Sequence, residues 1–193
     1  MIDLKFENDR YLDVVNEKDE VIDSKSRVDI HNLGLLHREV HVWMFDVNRN
    51  IFFQKRGLHR KSAGLLDATV GGHANKGEDY IDAAIRETKE ETGITIKSSD
   101  LIFLAKHTCI MSTKVSGISV TTNNYMRTIF IYKSAVSDID LKKEIGIPGN
   151  GFQKLSYETL LSADESFKSM IQNSVFTEEV PLVLKYINEQ PAK

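Results

Sequence analysis

The sequence predicts an α+β fold: a sandwich of helices and β-strands, with an N-terminal β-hairpin. Three observations predict it. Short runs of branched and aromatic residues dominate the first third of the chain and recur in its middle. Only one strong helical pattern interrupts those runs, which argues against a doubly wound βαβ array. The remaining helical patterns fall late in the chain. At 193 residues, 41% of them hydrophobic, the sequence has the size and apolar content of one domain with an ordinary buried core.

The elements follow in order. Segments 11–15 and 20–24 alternate polar and apolar residues around the polar turn Asn16-Glu17-Lys18-Asp19, the pattern of a hairpin. His31-Asn32-Leu33-Gly34 reads as a loop. Val40 to Phe45 and Ile51 to Arg56 read as antiparallel strands joined by the turn 46–50. Residues 57–77 hold Gly57, Gly64, Gly71, Gly72 and Gly77 and read as a functional loop. A helix is expected from about Glu78 to Thr92. It has Ile81, Ala84, Ile85, Thr88 and Thr92 on one face and stops at Gly93. Strands are expected at 101–110 and 125–133 around a loop at 112–124. A second loop covers 146–151, a short strand 152–155, and helices 157–163, 165–172 and 177–188. Pro181 sits in the first turn of the last helix, where proline is tolerated. The expected organisation is a single domain over 1–193: a hairpin extension at 1–30, a core at 31–163 and C-terminal helices at 164–193.

Composition narrows the function classes. A net charge of −3 disfavours a basic, nucleic-acid-polymer binder. The single cysteine, Cys109, excludes an internal disulfide framework and a thiolate zinc site. It suits a reducing cytoplasm. The longest apolar runs are far shorter than the ~20 residues of a spanning helix, and the N-terminus has no apolar signal core, so no membrane partner is expected.

The chemistry is concentrated between Gly72 and Ile94. On a helix turning ~100° per residue, Glu87, Glu90 and Glu91 project from one stripe. With Ile81 as zero, that stripe lies near ~240°, beside the expected core face at ~350°. Like charges at this spacing repel one another, and the C-terminal end of a helix disfavours carboxylates. A cation should compensate, and a hard divalent ion with oxygen ligands suits such a cluster. Taken alone, a glutamate-rich helix face is more often solvated surface.

The full spacing decides between these readings. Gly72, Glu78, Arg86-Glu87, Glu90-Glu91 and Gly93 followed by Ile94 resemble the Nudix box, with Thr88 replacing a usual apolar residue. A broader resemblance covers Leu36 to Trp43, Gln54-Lys55-Arg56 and Leu66 to His73. It points to the Nudix subgroup related to isopentenyl-diphosphate isomerases. The resemblance implies an α/β/α sandwich around a mixed β-sheet that hydrolyses a diphosphate linked to another moiety, in a nucleoside diphosphate or related small molecule. It implies Mg²⁺, with Mn²⁺ as an alternative. Glu87 and Glu91 would be the main metal ligands, Glu90 a further ligand or water-holder, and the Gly71 carbonyl a backbone ligand. Arg86 and Glu78 would orient the carboxylates. Many family members supply another glutamate from a later strand, whereas here no Asp or Glu lies between Asp100 and Asp138. Either Asp138, Asp140 or Glu144 substitutes, or the box carboxylates act alone.

Two alternatives stand beside hydrolysis. The isomerases resemble this chain at His37 and His73 but need a cysteine where Gly71 stands, and their box is degenerate. A non-catalytic nucleotide sensor would have no need of every box glutamate. Arg56, Lys61 and His73 are the candidate substrate contacts, within a basic group that also holds Lys55 and Arg60. His37 and His41 are further candidates for metal or phosphate, set against ordinary packing. Trp43 reads as core, Tyr80 as core or rim, and Cys109 as a small buried apolar residue. A homodimer through the N-terminal hairpin or the C-terminal helices is compatible with the pattern.

Overall fold

A computed structural model describes residues 10–58, 62–115, 118–134 and 151–190, the side chains at 111–115 and 118–122 aside. The hairpin is formed by β1 (Tyr11–Val15) and β2 (Val21–Ser26), paired antiparallel. Its turn places Asp19 at φ 64°, a conformation acidic side chains tolerate. The expected loop at 31–34 is the end of a helix instead, α1 (Arg27–Leu33). Ser26 caps it by accepting from the Asp29 N–H, and Gly34 closes it at φ 63°. A serine followed three residues later by an acid, with glycine after the last turn, is a helix signature.

Strand β3 (Leu36–Phe45) is the centre of the sheet. It pairs antiparallel with β1, with β4 (Asn50–Lys55) and with β6 (Val70–His73). It pairs parallel with β8 (Ile118–Lys133) in continuous register from Leu36↔Asn124 to Phe45↔Lys133. β7 (Ile102–Val115) adds to β8, while β5 (Leu66–Asp67) and β9 (Gly151–Ser156) flank β4. One parallel pair among antiparallel ones makes the sheet mixed, as expected. Two expectations fail here. The stretch 57–77 contains β5 and β6 and is not loop throughout. The loop expected at 112–124 is strand on either side of 116–117, because β7 and β8 run on as one long ribbon. Its Thr, Val and Ile residues are strand formers, and they outweigh the Ser, Asn and Gly that suggested a loop.

Alternate residues of β3 face opposite layers. Val40 and Val42 join Val70, Phe130, Ala83 and Ala84, the last two on helix α2 (Tyr80–Thr92). Trp43 and Phe45 face the C-terminal segment, packing with Ile129, Ile131, Val175, Val180, Val183 and Ile187. That segment comprises α3 (Tyr157–Leu161), α4 (Glu165–Lys168), a π-helical turn (Val175–Glu179) and α5 (Val180–Asn188). The molecule is therefore an α/β/α sandwich. No helix among the described residues is long and apolar enough to cross a membrane.

The core face of α2 is rotated from its expected position. Ile81 is 40% exposed, whereas Ala83, Ala84, Glu87, Thr88 and Thr92 are buried. The helix also starts two residues later than expected, with Asp79 accepting from the Asp82 N–H as its cap. The small alanines let α2 approach the sheet, and this brings Glu87 inside with them.

Candidate metal centre

The glycine pair of β6 explains where the carboxylates meet. A Cβ at Gly72 would lie 2.1 Å from the Glu87 carboxyl carbon, so no larger residue fits beneath that side chain. Glu91 rests on the neighbouring backbone. Its Oε2 accepts from the Gly71 N–H at 3.3 Å and from Gln54 Nε2 at 3.0 Å. Two glutamates from one helix face are thus gathered over Gly71-Gly72, one against each residue of the pair.

Arg86 fixes the rest. Its Nε and Nη2 donate to the two oxygens of Glu78 at 2.8 and 2.7 Å, a bidentate clamp. Nη2 also donates to the His73 carbonyl, and Nη1 donates to Glu87 Oε1 at 2.7 Å and Glu90 Oε2 at 3.3 Å. Glu78 in turn accepts from the Asn75 N–H. Burial raises the Glu78 carboxyl pKa, but Arg86 and Asn75 outweigh burial and hold it below its ordinary value. Glu87 behaves oppositely. Burial pushes its pKa up, with Glu90 adding to the rise, and Arg86 only partly offsets it. An ionised Glu87 therefore gains from a further cation. Buried oxygen donors, partly uncompensated and backed by a glycine that leaves them room, fit a hard divalent ion. Glu90 is half-exposed at the rim.

A second cluster lies on the other face of β3. His31, on α1, His37, on β3, and His73, at the end of β6, place one ligating nitrogen each within 4.8 Å of the others. His37 and His73 stack with centroids 5.0 Å apart, and His31 meets both edge-on. The Nε2 atoms of His37 and His73 are buried without a hydrogen-bond partner. Burial lowers the His37 pKa to about 4 and the His73 pKa well below its usual value, with neighbouring imidazoles adding to the effect. Three imidazoles in this arrangement can, in their neutral forms, hold one borderline metal ion. His37 and His73 were candidates from sequence. His31 was missed, because 31–34 was read as a loop and not as the last turn of α1.

Other expected contacts fall elsewhere. Arg56 is ion-paired with the buried Asp67. Lys61 and Arg60 lie outside the described residues, as do Asp138, Asp140 and Glu144. His41 Nδ1 lies 3.0 Å from both oxygens of Glu179, which also accepts from Trp43 Nε1 and Arg127 Nη1. Burial and Arg127 press the His41 pKa down, yet Glu179 raises it. Glu179, 0% exposed, was not foreseen as a partner for a strand 136 residues earlier in the chain. A Cβ at Gly71 would come 3.1 Å from the His41 ring, so a larger residue there would need that imidazole to shift by a few tenths of an ångström. Tyr80 is a rim residue that donates to Asp19 at 2.9 Å. Cys109 is buried on β7 opposite Tyr125.

An uncharacterized Nudix hydrolase of Streptomyces coelicolor is 41% identical over 91 residues, 44% of this chain and 48% of that protein. An isopentenyl-diphosphate Δ-isomerase of Serratia proteamaculans is 35% identical over 88 residues, 45% of this chain and 49% of that protein. The chain thus spans about half the length of the curated relatives it matches. The crystal structure of DR0079 from Deinococcus radiodurans shares the fold, with a TM-score of 0.57 at 22% identity over 83% of this chain and 96% of that one. The model of the NUDIX domain matches residues 35–168, from the head of β3 to the end of α4. With Glu87 and Glu91 seated on the glycine pair and Glu90 at its rim inside that span, the chain belongs to the Nudix family.

Proposed function

We propose that the chain is a Mg²⁺-dependent pyrophosphohydrolase acting on a small molecule with a diphosphate linkage, a nucleoside diphosphate derivative or a related compound. The observation that carries this reading is Glu87, a buried carboxylate packed on Gly72 and only partly neutralised by Arg86. Glu87 and Glu91, with Glu90 at the rim and the Gly71 carbonyl, would hold the ion; Mn²⁺ suits the same donors. The bound ion would polarise phosphoryl oxygens and lower the pKa of a coordinated water. The protein's part is positional. Arg86, clamped by Glu78, keeps Glu87 and Glu90 aimed, and Gln54 keeps Glu91 over the Gly71 N–H. A carboxylate of the stripe takes the proton as water oxygen bonds to phosphorus. The bridging P–O bond breaks, and its oxygen leaves with the electron pair and gains a proton, giving two monophosphate products.

The isomerase alternative is weakened by Gly71, which brings no thiol where those enzymes need a cysteine and lies close against the His41 ring. The test is product release across a panel of nucleoside diphosphate derivatives and prenyl diphosphates, with Mg²⁺ and then with chelator. Metal-dependent formation of monophosphates supports hydrolysis. Double-bond migration in a prenyl diphosphate without P–O cleavage would overturn it, as would tight nucleotide binding without turnover.

A further inference from the structure

We infer that Arg10, outside the residues matched by the family model, couples binding of the divalent ion to binding of the diphosphate, so that the two load together. This rests on the hydrolase reading above. Arg10 directly precedes β1, and its backbone is fastened on both sides. Its carbonyl accepts from the Arg27 N–H at 2.8 Å, and the next carbonyl, Tyr11 O, accepts from the Lys76 N–H in the box loop at 2.8 Å. The side chain runs into the box. Nε donates to Asn75 Oδ1 at 2.9 Å, and Nη2 reaches 3.5 Å from Glu87 Oε1.

That last contact is an electrostatic one. Nη2 is buried and makes no hydrogen bond, and Glu87 Oε1 already accepts from Arg86 at 2.7 Å. Arg86 uses Nε, Nη1 and Nη2 on Glu78, Glu87, Glu90 and the His73 carbonyl, and Arg127 directs Nε and Nη1 to Glu39 and Glu179. Those two guanidiniums are committed to the scaffold. Arg10 brings a permanent positive charge with unsatisfied N–H groups to the carboxylate best placed to hold a cation.

The sign of the effect follows from charge alone. A fixed cation beside Glu87 repels a bare divalent ion and attracts the phosphoryl oxygens that arrive with a metal-diphosphate complex. Arg10 thus weakens binding of the ion alone and strengthens binding of the complex. The coupling is reciprocal, so it can be read from either ligand. Placing this residue on the N-terminal segment makes the hairpin part of the site.

The test is titration of the full chain with Mn²⁺ alone, and then with Mn²⁺ and imidodiphosphate, a non-hydrolysable diphosphate, following bound Mn²⁺ by electron paramagnetic resonance. Arg10→Met should bind Mn²⁺ alone about threefold to tenfold more tightly and the Mn²⁺–imidodiphosphate complex at least about tenfold more weakly. Arg10→Lys, which keeps the charge, should stay within about threefold of the parent in both. Thermal melting of both variants checks that the fold persists. Equal weakening of both affinities would overturn the inference and make Arg10 a prop for the Asn75 loop, and unchanged affinities would also overturn it. If the parent binds neither probe, or Glu87→Gln binds both as well as the parent does, the hydrolase reading itself fails and the coupling falls with it.

Discussion

Glu87 is the residue on which the site turns. Glu87→Gln and Glu91→Gln keep the side-chain shape and remove the charge a divalent ion requires. Each should lower kcat by on the order of 10² or more. Asp82→Asn, exposed at the opposite end of α2, should leave kcat within a few-fold. Steady-state turnover in saturating Mg²⁺ separates these variants. In chelator, Glu87→Gln should melt no lower than the parent. Burial outweighs the Arg86 pair in setting the Glu87 pKa, so the ionised form is the disfavoured one in the fold. Asp79, in contrast, caps α2, and Asp79→Ala should cost about 1 kcal/mol whether or not metal is present.

The buried imidazoles set a pH limit at the same scale. The His37 pKa falls from 6.5 unfolded to about 4 in the fold, so protonation favours unfolding. Its contribution is intact above pH 6.5 and erodes as the pH falls toward 4, reaching about 3 kcal/mol at ~1.4 kcal/mol per unit. Urea unfolding in chelator at stepped pH values checks this. His37→Phe should flatten the slope between pH 6.5 and 4, and an unchanged slope would rule out His37 as its source.

At the scale of elements, the box helix was legible in the sequence because its spacing is rigid: one helix turn fixes where Glu87 and Glu91 go relative to Arg86. The helix α1 was equally written, in Ser26, Asp29 and Gly34, but seven residues give too little periodicity to announce it. The face of α2 was misjudged because Ile81 is apolar yet solvent-facing, while Ala83 is small enough to sit against the sheet. Nothing local could reveal Glu179. Its role exists only once the π-helical turn brings it beneath His41, Trp43 and Arg127. That makes it a strong test of the C-terminal layer. Glu179→Gln leaves Arg127 and His41 facing a neutral amide in a buried setting, and should lower the unfolding free energy by about 3 kcal/mol in a denaturant titration. A loss below about 1 kcal/mol would mean that the apolar residues of α5 alone fasten that layer.

At the scale of the whole molecule, the α+β sandwich was legible from the order of strand and helix patterns, and its mixed sheet from the resemblance the box carries. Of the strand pairings, the two local ones, β1 with β2 and β3 with β4, were legible, and the long-range partners β6 and β8 of β3 were not. The hairpin is held to the body by Asp19, which accepts from Arg38 and Tyr80 and pairs with Lys106. These link β3, α2 and β7, so the site stands before any ion arrives. Mg²⁺ at tenfold above its Kd should therefore raise Tm by only about 3–6 °C, corresponding to about 1.4 kcal/mol. Differential scanning calorimetry with and without chelator measures it. Loss of the folding transition in chelator would show that the ion builds the site.

The parallel pairing of β3 with β8 has a consequence in time. Leu36 to Phe45 cannot acquire that neighbour until Asn124 to Lys133 has been made, so the central strand must wait for most of the chain. Contacts this distant in sequence slow folding and leave apolar edges open in the interval. During synthesis, Val40, Val42 and Trp43 are in place on one side long before the other side exists. The nascent chain passes through a stage in which its future core is an unfinished edge, and the demand for chaperone protection should peak there, between release of β6 and release of β8.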